Sequence, residues 1–158
     1  DLELVPFELA RVFRDVIQLQ LPIALAKGVV IQLDLAPDLP EGVRGDPGRI
    51  RQVLLNLVGN AVKFTDVGAV MIRARRQART IRVMVEDTGP GIPEHMRDKA
   101  KERFFRLDSA RTQSGSGLGL ALADAVADLH KGHLDLLWTQ GPPEPKGLKA
   151  VLTLPRDK

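Results

Sequence analysis

The 158-residue chain has no cysteine, and aromatic residues make up only 4% of it. The lack of cysteine excludes a disulfide framework and any cysteine-ligated zinc site, and it suits a cytoplasmic protein. The net charge is +3, and much of the excess lies in residues 73–82 and 97–111. Because aromatics are few and no recognition motif is present, we interpret these segments as a solvated hairpin and loop and expect no nucleic-acid partner.

Long apolar runs are also missing from the chain. No run is long enough to span a bilayer, and the first ten residues lack the basic-then-apolar order of a signal peptide. We therefore expect no direct membrane insertion. The chain begins at Asp1 rather than Met, as a fragment or a processed form does. Its length and its hydrophobic content of 44% fit one domain with a real core.

The spacing of apolar residues predicts the main elements. Helices are expected from about Leu9 to Gly28 (kinked or divided at Pro22), from about Gly48 to Phe64, and from the glycines before Leu120 to Gly132, with a short helix near residues 99–105. Strands are expected at residues 29–37, 69–76, 80–87, 133–140 and 148–155, with a mobile loop at residues 141–147. The predicted fold class is α+β, a two-layer sandwich with a mixed, mostly antiparallel sheet of about five strands and about three helices on one face.

Two asparagines, Asn56 and Asn60, lie in the middle of the predicted second helix, although asparagine is a poor helix former. With Arg49, Gln52 and Lys63 they fall within an arc of about 80°, away from the apolar face. A solvated surface stripe is one explanation, but such stripes usually contain glutamate. The alternative is a binding face, because amide oxygens suit Mg²⁺ and the cations suit phosphate.

The segment "VEDTGPGIP" places Asp87, Gly89 and Gly91 after a strand that has the pattern of a buried one. An ordinary turn explains an aspartate beside glycines. The functional alternative is a carboxylate at a pocket mouth that accepts a hydrogen bond from the amine of a base. The glycines would then let a ring approach the backbone.

The segment "SGSGLGL" places three glycines, Gly115, Gly117 and Gly119, before a helix. Exposed N–H groups and the helix dipole favour phosphate at such a position. Many loops are glycine-rich, however, and this one is neither a dinucleotide-binding fingerprint nor a P-loop.

In this order along the chain, the segments resemble the ATP-binding catalytic domain of bacterial sensor histidine kinases, which has the Bergerat ATP-binding fold. "GDPGRIRQVLLNLVGNAVKFT" resembles the N box (residues 46–66), and "VEDTGPGIP" resembles the G1 box (residues 85–93). "ERFFRLD" resembles the F box (residues 102–108), and "GSGLGL" resembles the G2 box (residues 115–120). The resemblance covers residues 1–158 as one catalytic domain, without the dimerisation, phosphoacceptor or sensor domains.

The resemblance implies that the cofactors are ATP and Mg²⁺. Asn60 would be the Mg²⁺ ligand, Asn56 would support metal or phosphate, and Lys63 would contact phosphate. Phe64 would line the adenine pocket, and Asp87 would read the adenine amine.

Further roles follow from the resemblance at the other motifs. Arg106 would be a catalytic arginine in the ATP lid, a segment of residues 94–116 that is expected to be mobile without nucleotide. The remaining positions would shape the adenine pocket or hold the triphosphate through backbone N–H groups: Gly89, Gly91, Gly115, Gly117, Leu118 and Gly119.

The implied function is transfer of the ATP γ-phosphate to a histidine on a separate dimerisation domain of the same protein, with a response regulator downstream. The chain would then be cytoplasmic, which includes the cytoplasmic part of a membrane-bound sensor. Two alternatives stay open. One is a related serine kinase or ATPase on the same fold, and the other is a nucleotide-binding pseudokinase or docking module.

Three features qualify the resemblance. Lys101 stands where the F box usually has phenylalanine, which leaves the packing of the lid open. We expect none of the histidines to accept phosphate, because His95 would lie on the lid while His130 and His133 suit a helix cap and a strand start. Asn56 replaces the glutamate that activates water in similar ATPases such as gyrase, so hydrolysis should be slow.

Overall fold

A computed structural model describes residues 3–91, 94–101, 119–140 and 146–155. The elements are β1 (Val5–Glu8), α1 (Leu9–Lys27), β2 (Val30–Leu35), β3 (Gly42–Gly45), α2 (Pro47–Phe64), β4 (Ala69–Gln77), β5 (Thr80–Asp87), α3 (Arg97–Ala100), α4 (Gly119–Leu129), β6 (His133–Gln140) and β7 (Lys146–Pro155). A 3₁₀ turn, Glu94–Met96, precedes α3. Within these ranges no helix has both the length and the hydropathy needed to cross a bilayer.

The main sheet has five strands in the order β2-β4-β5-β7-β6. Strands β2 and β4 are parallel, and the other neighbours are antiparallel. The parallel pair requires a crossover, which α2 supplies. Strand β5 is central, so its last residue, Asp87, lies between two paired strands rather than at an edge.

Helices α1, α2 and α4 cover one face of the main sheet and close the core. Alternation along β4 shows how the strands face them, because Val70, Ile72 and Ala74 are fully buried while the residues between them are half-buried. The largest fully buried side chains come from both layers: Phe13, Leu9, Ile50, Leu54, Ile72, Leu134 and Leu152. The predicted two-layer α+β fold is confirmed.

Helix α2 is held at both ends by side chains. The N-cap Asp46 accepts from the Arg49 N–H at 3.2 Å, and Pro47 follows it at the helix start. The Glu3 N–H, which also donates to this carboxylate, is the chief reason that the pKa of Asp46 lies below its ordinary value. At the other end, the Lys27 ammonium donates to the carbonyls of Val62 and Lys63, each at 2.8 Å. A cation there also complements the helix dipole.

Three local expectations need correction. Helix α1 is continuous through Pro22. Pro22 has no N–H to donate to the carbonyl of Gln18. Both residues are exposed to solvent. No strand was expected between residues 37 and 48, but β3 lies there and pairs with β1 in a separate two-stranded sheet. The short helix expected at residues 99–105 is α3, at Arg97–Ala100, and residues 102–105 lie outside the described ranges.

Candidate functional site

The polar stripe of α2 is half-buried. Asn56, Asn60 and Lys63 lie on one side of the helix, neither in the core nor fully exposed, whereas Leu57 and Ala61 beside them are buried. Spacings of four and three residues place successive side chains on one face. The stripe therefore borders the core and is reachable from solvent, as a binding face requires. The individual roles of these residues stay predictions.

The far end of the predicted cationic stripe belongs to the helix cap. The Arg49 guanidinium lies 3.3 Å from the Asp46 carboxylate. Arg49 is in the first turn of α2, about two turns before Asn56. Arg49 thus serves the start of α2, and Lys63 is the cation that accompanies the asparagines.

The C-terminal end of α2 packs directly against the turn after β5. A Cβ atom on Gly89 would lie 2.5 Å from the Phe64 carbonyl oxygen and 3.3 Å from Oδ1 of Asp87. Both distances are shorter than ordinary contacts, so only glycine fits there. The Lys63 ammonium lies 5.2 Å from the centroid of the Phe64 ring. The end of α2, at Phe64, is thereby brought to Asp87 and Gly89, more than 20 residues further along the chain.

Asp87 is buried, with 4% of its surface exposed. Its Oδ1 accepts from the N–H groups of Gly89 at 2.9 Å and of Leu148 at 3.0 Å. Within the described ranges, both hydrogen bonds to the carboxylate end on Oδ1, so Oδ2 retains its acceptor capacity. Burial raises the pKa of Asp87, and the two backbone donors oppose that rise. A buried acceptor of this kind can read a donor group on a ligand.

Strand β7 supplies site residues that sequence reasoning missed. Gly147, expected in a loop, is part of β7, and its N–H donates to the Gly89 carbonyl at 2.8 Å. Its φ is +76°, and a Cβ there would overlap the Asp87 carbonyl oxygen. A glycine at the start of a strand was the available signal. Nothing local indicated that this glycine meets Asp87.

Of the third predicted segment, the structure describes Gly119, the first residue of α4. His130, just after α4, accepts from the Asp46 N–H through Nε2 at 3.2 Å, and its Nδ1 lies 2.9 Å from the Val126 carbonyl. The C-terminal end of α4 is thus at the start of α2. Because α4 packs along α2, its first residue, Gly119, lies about three turns back, roughly 16 Å away, toward the asparagine half of α2.

Gly115, Gly117, Leu118 and the lid arginine Arg106 lie outside the described ranges, and their roles stay predictions. The structural reading of two histidines is confirmed, because His130 caps α4 and His133 begins β6.

Lys101, the departure from the usual F box, has polar partners in the fold. Its ammonium donates to the Leu134 carbonyl at 3.0 Å and lies 3.6 Å from the Asp124 carboxylate. Lys101 therefore links the end of α3 to α4 and β6 through polar contacts rather than through aromatic packing.

The donor set fits a magnesium ion only if a ligand supplies most of the oxygens. Among the described residues, no three His, Asp or Glu side chains cluster in a way that could hold a metal. Asn60 offers a neutral amide oxygen on the half-buried stripe. Mg²⁺ is commonly held by few protein groups together with phosphate oxygens and water.

The chain is similar to curated sensor kinases and matches an ATPase family. The matching family profile is described as histidine kinase-, DNA gyrase B-, and HSP90-like ATPase and covers residues 45–158. Sensor histidine kinase AruS of Pseudomonas aeruginosa is 40% identical over 139 residues, which are 84% of this chain and 14% of AruS. Signal transduction histidine-protein kinase BarA of Escherichia coli is 35% identical over 134 residues, which are 80% of this chain and 15% of BarA. The chain thus spans a small part of these relatives.

Solved structures give the same assignment. Full-length ShkA in complex with AMPPNP matches with a TM-score of 0.87 and 32% identity, over 100% of this chain and 32% of ShkA. The nucleotide-free catalytic domain of histidine kinase ThkA matches with a TM-score of 0.83 and 27% identity, over 98% of both chains. The chain therefore belongs to the histidine kinase-, DNA gyrase B- and HSP90-like ATPase family, and its relatives there are the catalytic domains of sensor histidine kinases.

Proposed function

We propose that this chain binds Mg-ATP and transfers the γ-phosphate to a histidine on the dimerisation domain of the same protein, as the catalytic part of a two-component sensor kinase. The observation that carries the proposal is the junction of Phe64, Asp87 and Gly89, which joins the amide-bearing helix to a buried carboxylate. Family membership and the AMPPNP complex of ShkA support it. A response regulator downstream would then receive the phosphoryl group from that histidine.

At the purine end, Asp87 would accept a hydrogen bond from the adenine amine through Oδ2, since Oδ1 already accepts from two backbone N–H groups. Phe64 would contact the ring. Side chains are excluded at Gly89, Gly91 and Gly147, where a Cβ would meet neighbouring atoms. The backbone of the turn and of the start of β7 therefore packs closely around Asp87.

At the phosphate end, Asn60 would hold Mg²⁺, while Asn56 and Lys63 would orient the phosphates. The ion, when bound, supplies neutralisation of the phosphate charge. We assign the backbone N–H groups of residues 115–119 to the triphosphate and Arg106 to the transferred phosphate. Positioning and charge neutralisation account for most of phosphoryl-transfer catalysis, and this set of groups would supply both.

A phosphotransfer assay tests the proposal. The chain is mixed with labelled ATP, Mg²⁺ and the dimerisation helices of its parent protein, and acid-labile phosphohistidine is measured. We expect labelling by the unmodified chain. Asn60→Ala should lose at least about 10- to 100-fold in metal-dependent ATP affinity, because even the partners of metal ligands contribute that much.

Gln52→Ala is the matched control for Asn60→Ala. Gln52 lies on the same polar side of α2, two turns earlier, and is exposed. This variant should label the helices as the unmodified chain does. Absence of phosphohistidine together with unchanged ATP affinity in Asn60→Ala would contradict both the activity and the site.

Slow hydrolysis is a second expected result. Asn56 cannot take a proton from water at neutral pH, so turnover of ATP by the unmodified chain alone should lie far below the roughly 10 s⁻¹ median of enzymes. Asn56→Glu introduces a base and should raise hydrolysis, by up to about 100-fold if it reaches the lower range of general-base catalysis. Steady-state phosphate release measures both.

Asn56→Gln separates the added base from the added length. It lengthens the side chain as glutamate does but keeps the amide, so hydrolysis should stay slow. Rapid Mg²⁺-dependent turnover by the unmodified chain would instead favour a stand-alone ATPase of the same family.

A further inference from the structure

Trp138 lies directly against the turn that follows Asp87. A Cβ atom on Gly91 would be 2.5 Å from Cζ3 and 2.8 Å from Cε3 of the indole. The φ of Gly91 is +79°, a conformation that favours glycine. The six-membered edge of the indole therefore limits where this turn can go.

The same tryptophan is the neighbour of the strand that orients Asp87. In the pairing of β6 with β7, Trp138 is opposite Leu148. The Leu148 N–H donates to Oδ1 of Asp87 at 3.0 Å. Trp138 thus contacts the turn after the carboxylate and is paired with the residue that donates to it.

The indole is also fixed from the side of α3. The guanidinium of Arg97 lies 5.2 Å from the ring centroid, within the range of a cation–π contact. Trp138 is half-buried, and Leu137, the preceding residue on β6, is 40% exposed. The turn at Gly91 and the guanidinium of Arg97 leave the ring little freedom.

We propose that Trp138 is a positioning residue for the purine end of the ATP site and that it sets, through Gly91 and Leu148, where Asp87 meets the adenine amine. This inference rests on the proposed function. Without the ring, the turn has room to move and the carboxylate is less strictly oriented. Guanine carries a carbonyl where adenine carries the amine, so a loosened Asp87 should reject guanine nucleotides less strongly.

Binding of ADP and GDP by calorimetry to Trp138 variants tests this. Trp138→Ala should weaken ADP binding by about tenfold, the effect of one hydrogen bond to a charged group, and should lower the preference for ADP over GDP. Trp138→Phe keeps a ring and should recover most of both. Trp138→Leu keeps apolar volume without a ring, so the test does not depend on the folding of the alanine variant. Leu137→Ala, at a neighbouring exposed position, should bind as the unmodified chain does.

A double-mutant cycle with Asp87→Asn separates positioning from general stability. If Trp138 acts through Asp87, Trp138→Ala should have little further effect in the Asp87→Asn background. Equal loss in both backgrounds, or unchanged ADP affinity and purine preference in the leucine and alanine variants, would overturn the inference while the proposed function stands. No ADP binding by the unmodified chain would instead overturn the proposed function.

Discussion

Asp87→Asn should lose most of the affinity for ADP while the fold keeps its stability. The asparagine oxygen can still accept from the N–H groups of Gly89 and Leu148. Its amide nitrogen then takes the place of Oδ2. Two N–H donors, the amide and the adenine amine, then face each other and cannot form a hydrogen bond. The lost hydrogen bond to a charged group is worth about 1.5–3 kcal/mol, which corresponds to about 10- to 150-fold in Kd.

The stability of this variant follows from the direction of the pKa shift. Burial raises the pKa of Asp87 above its ordinary value of 3.8. The folded state therefore binds the proton more tightly than the unfolded state does. Stability falls as pH rises from the ordinary pKa to the raised one, and above the raised pKa the cost of the buried charge is fully present. Asparagine carries no charge, so this pH dependence should disappear and stability at pH 7 should be equal or higher.

Calorimetric titration with ADP and thermal unfolding between pH 3 and pH 7 measure the two effects. Asp135→Asn is a suitable control because Asp135 is on β6 with 52% of its side chain exposed. It should leave ADP binding unchanged. Unchanged ADP affinity in Asp87→Asn would show that Asp87 does not read the base, and a clear loss of stability at pH 7 would show that its charge stabilises the fold.

Gly89→Ala should lose both stability and nucleotide binding. The added Cβ would lie 2.5 Å from the Phe64 carbonyl oxygen, which is backbone at the end of α2 and has no rotamer with which to move aside. Overpacking of this kind costs about 1–3 kcal/mol. The same methyl group would lie 3.3 Å from Oδ1 of Asp87, so the displaced turn should also disturb the carboxylate.

Gly48→Ala provides the matched glycine control. Gly48 is exposed in the first turn of α2, and a Cβ there would lie 3.6 Å from the Asp46 carboxylate, an ordinary contact. Alanine should stabilise α2 by up to about 1 kcal/mol, because it has the higher helix propensity. Urea unfolding and ADP titration of both variants give the comparison. A Gly89→Ala variant as stable and as tight-binding as the unmodified chain would mean that α2 and the turn are not held in contact.

Local patterns were sufficient for much of the fold. Asp46 followed by Pro47 marks the start of α2, and alternation along residues 69–76 and 80–87 marks the two strands that form the hairpin. These signals depend on neighbours within one or two turns of chain, so they can be read without tertiary contacts. Asp87 before two glycines was recognisable for the same reason.

Such local patterns could not predict contacts between residues that are distant in the sequence. The partners of Asp87 include Leu148, and the partners of Lys101 include Asp124 and Leu134. Strand β3 has only four residues, two of them glycine, and it exists because β1 pairs with it. Each of these contacts depends on how distant segments pack. In β3, the loop-like composition also hides the strand from prediction by sequence pattern.

The chemistry available to this protein was readable from its residues alone: amides and a lysine on one helix, a carboxylate before glycines, and glycines before another helix. The meeting of the amide-bearing helix with the carboxylate was decided only by tertiary structure. The sheet order places Asp87 on the central strand beside β7, and the close approach of Phe64 to Gly89 brings α2 to it. Backbone hydrogen bonds and excluded volume between distant segments set that geometry, and neither is encoded in any short stretch of sequence.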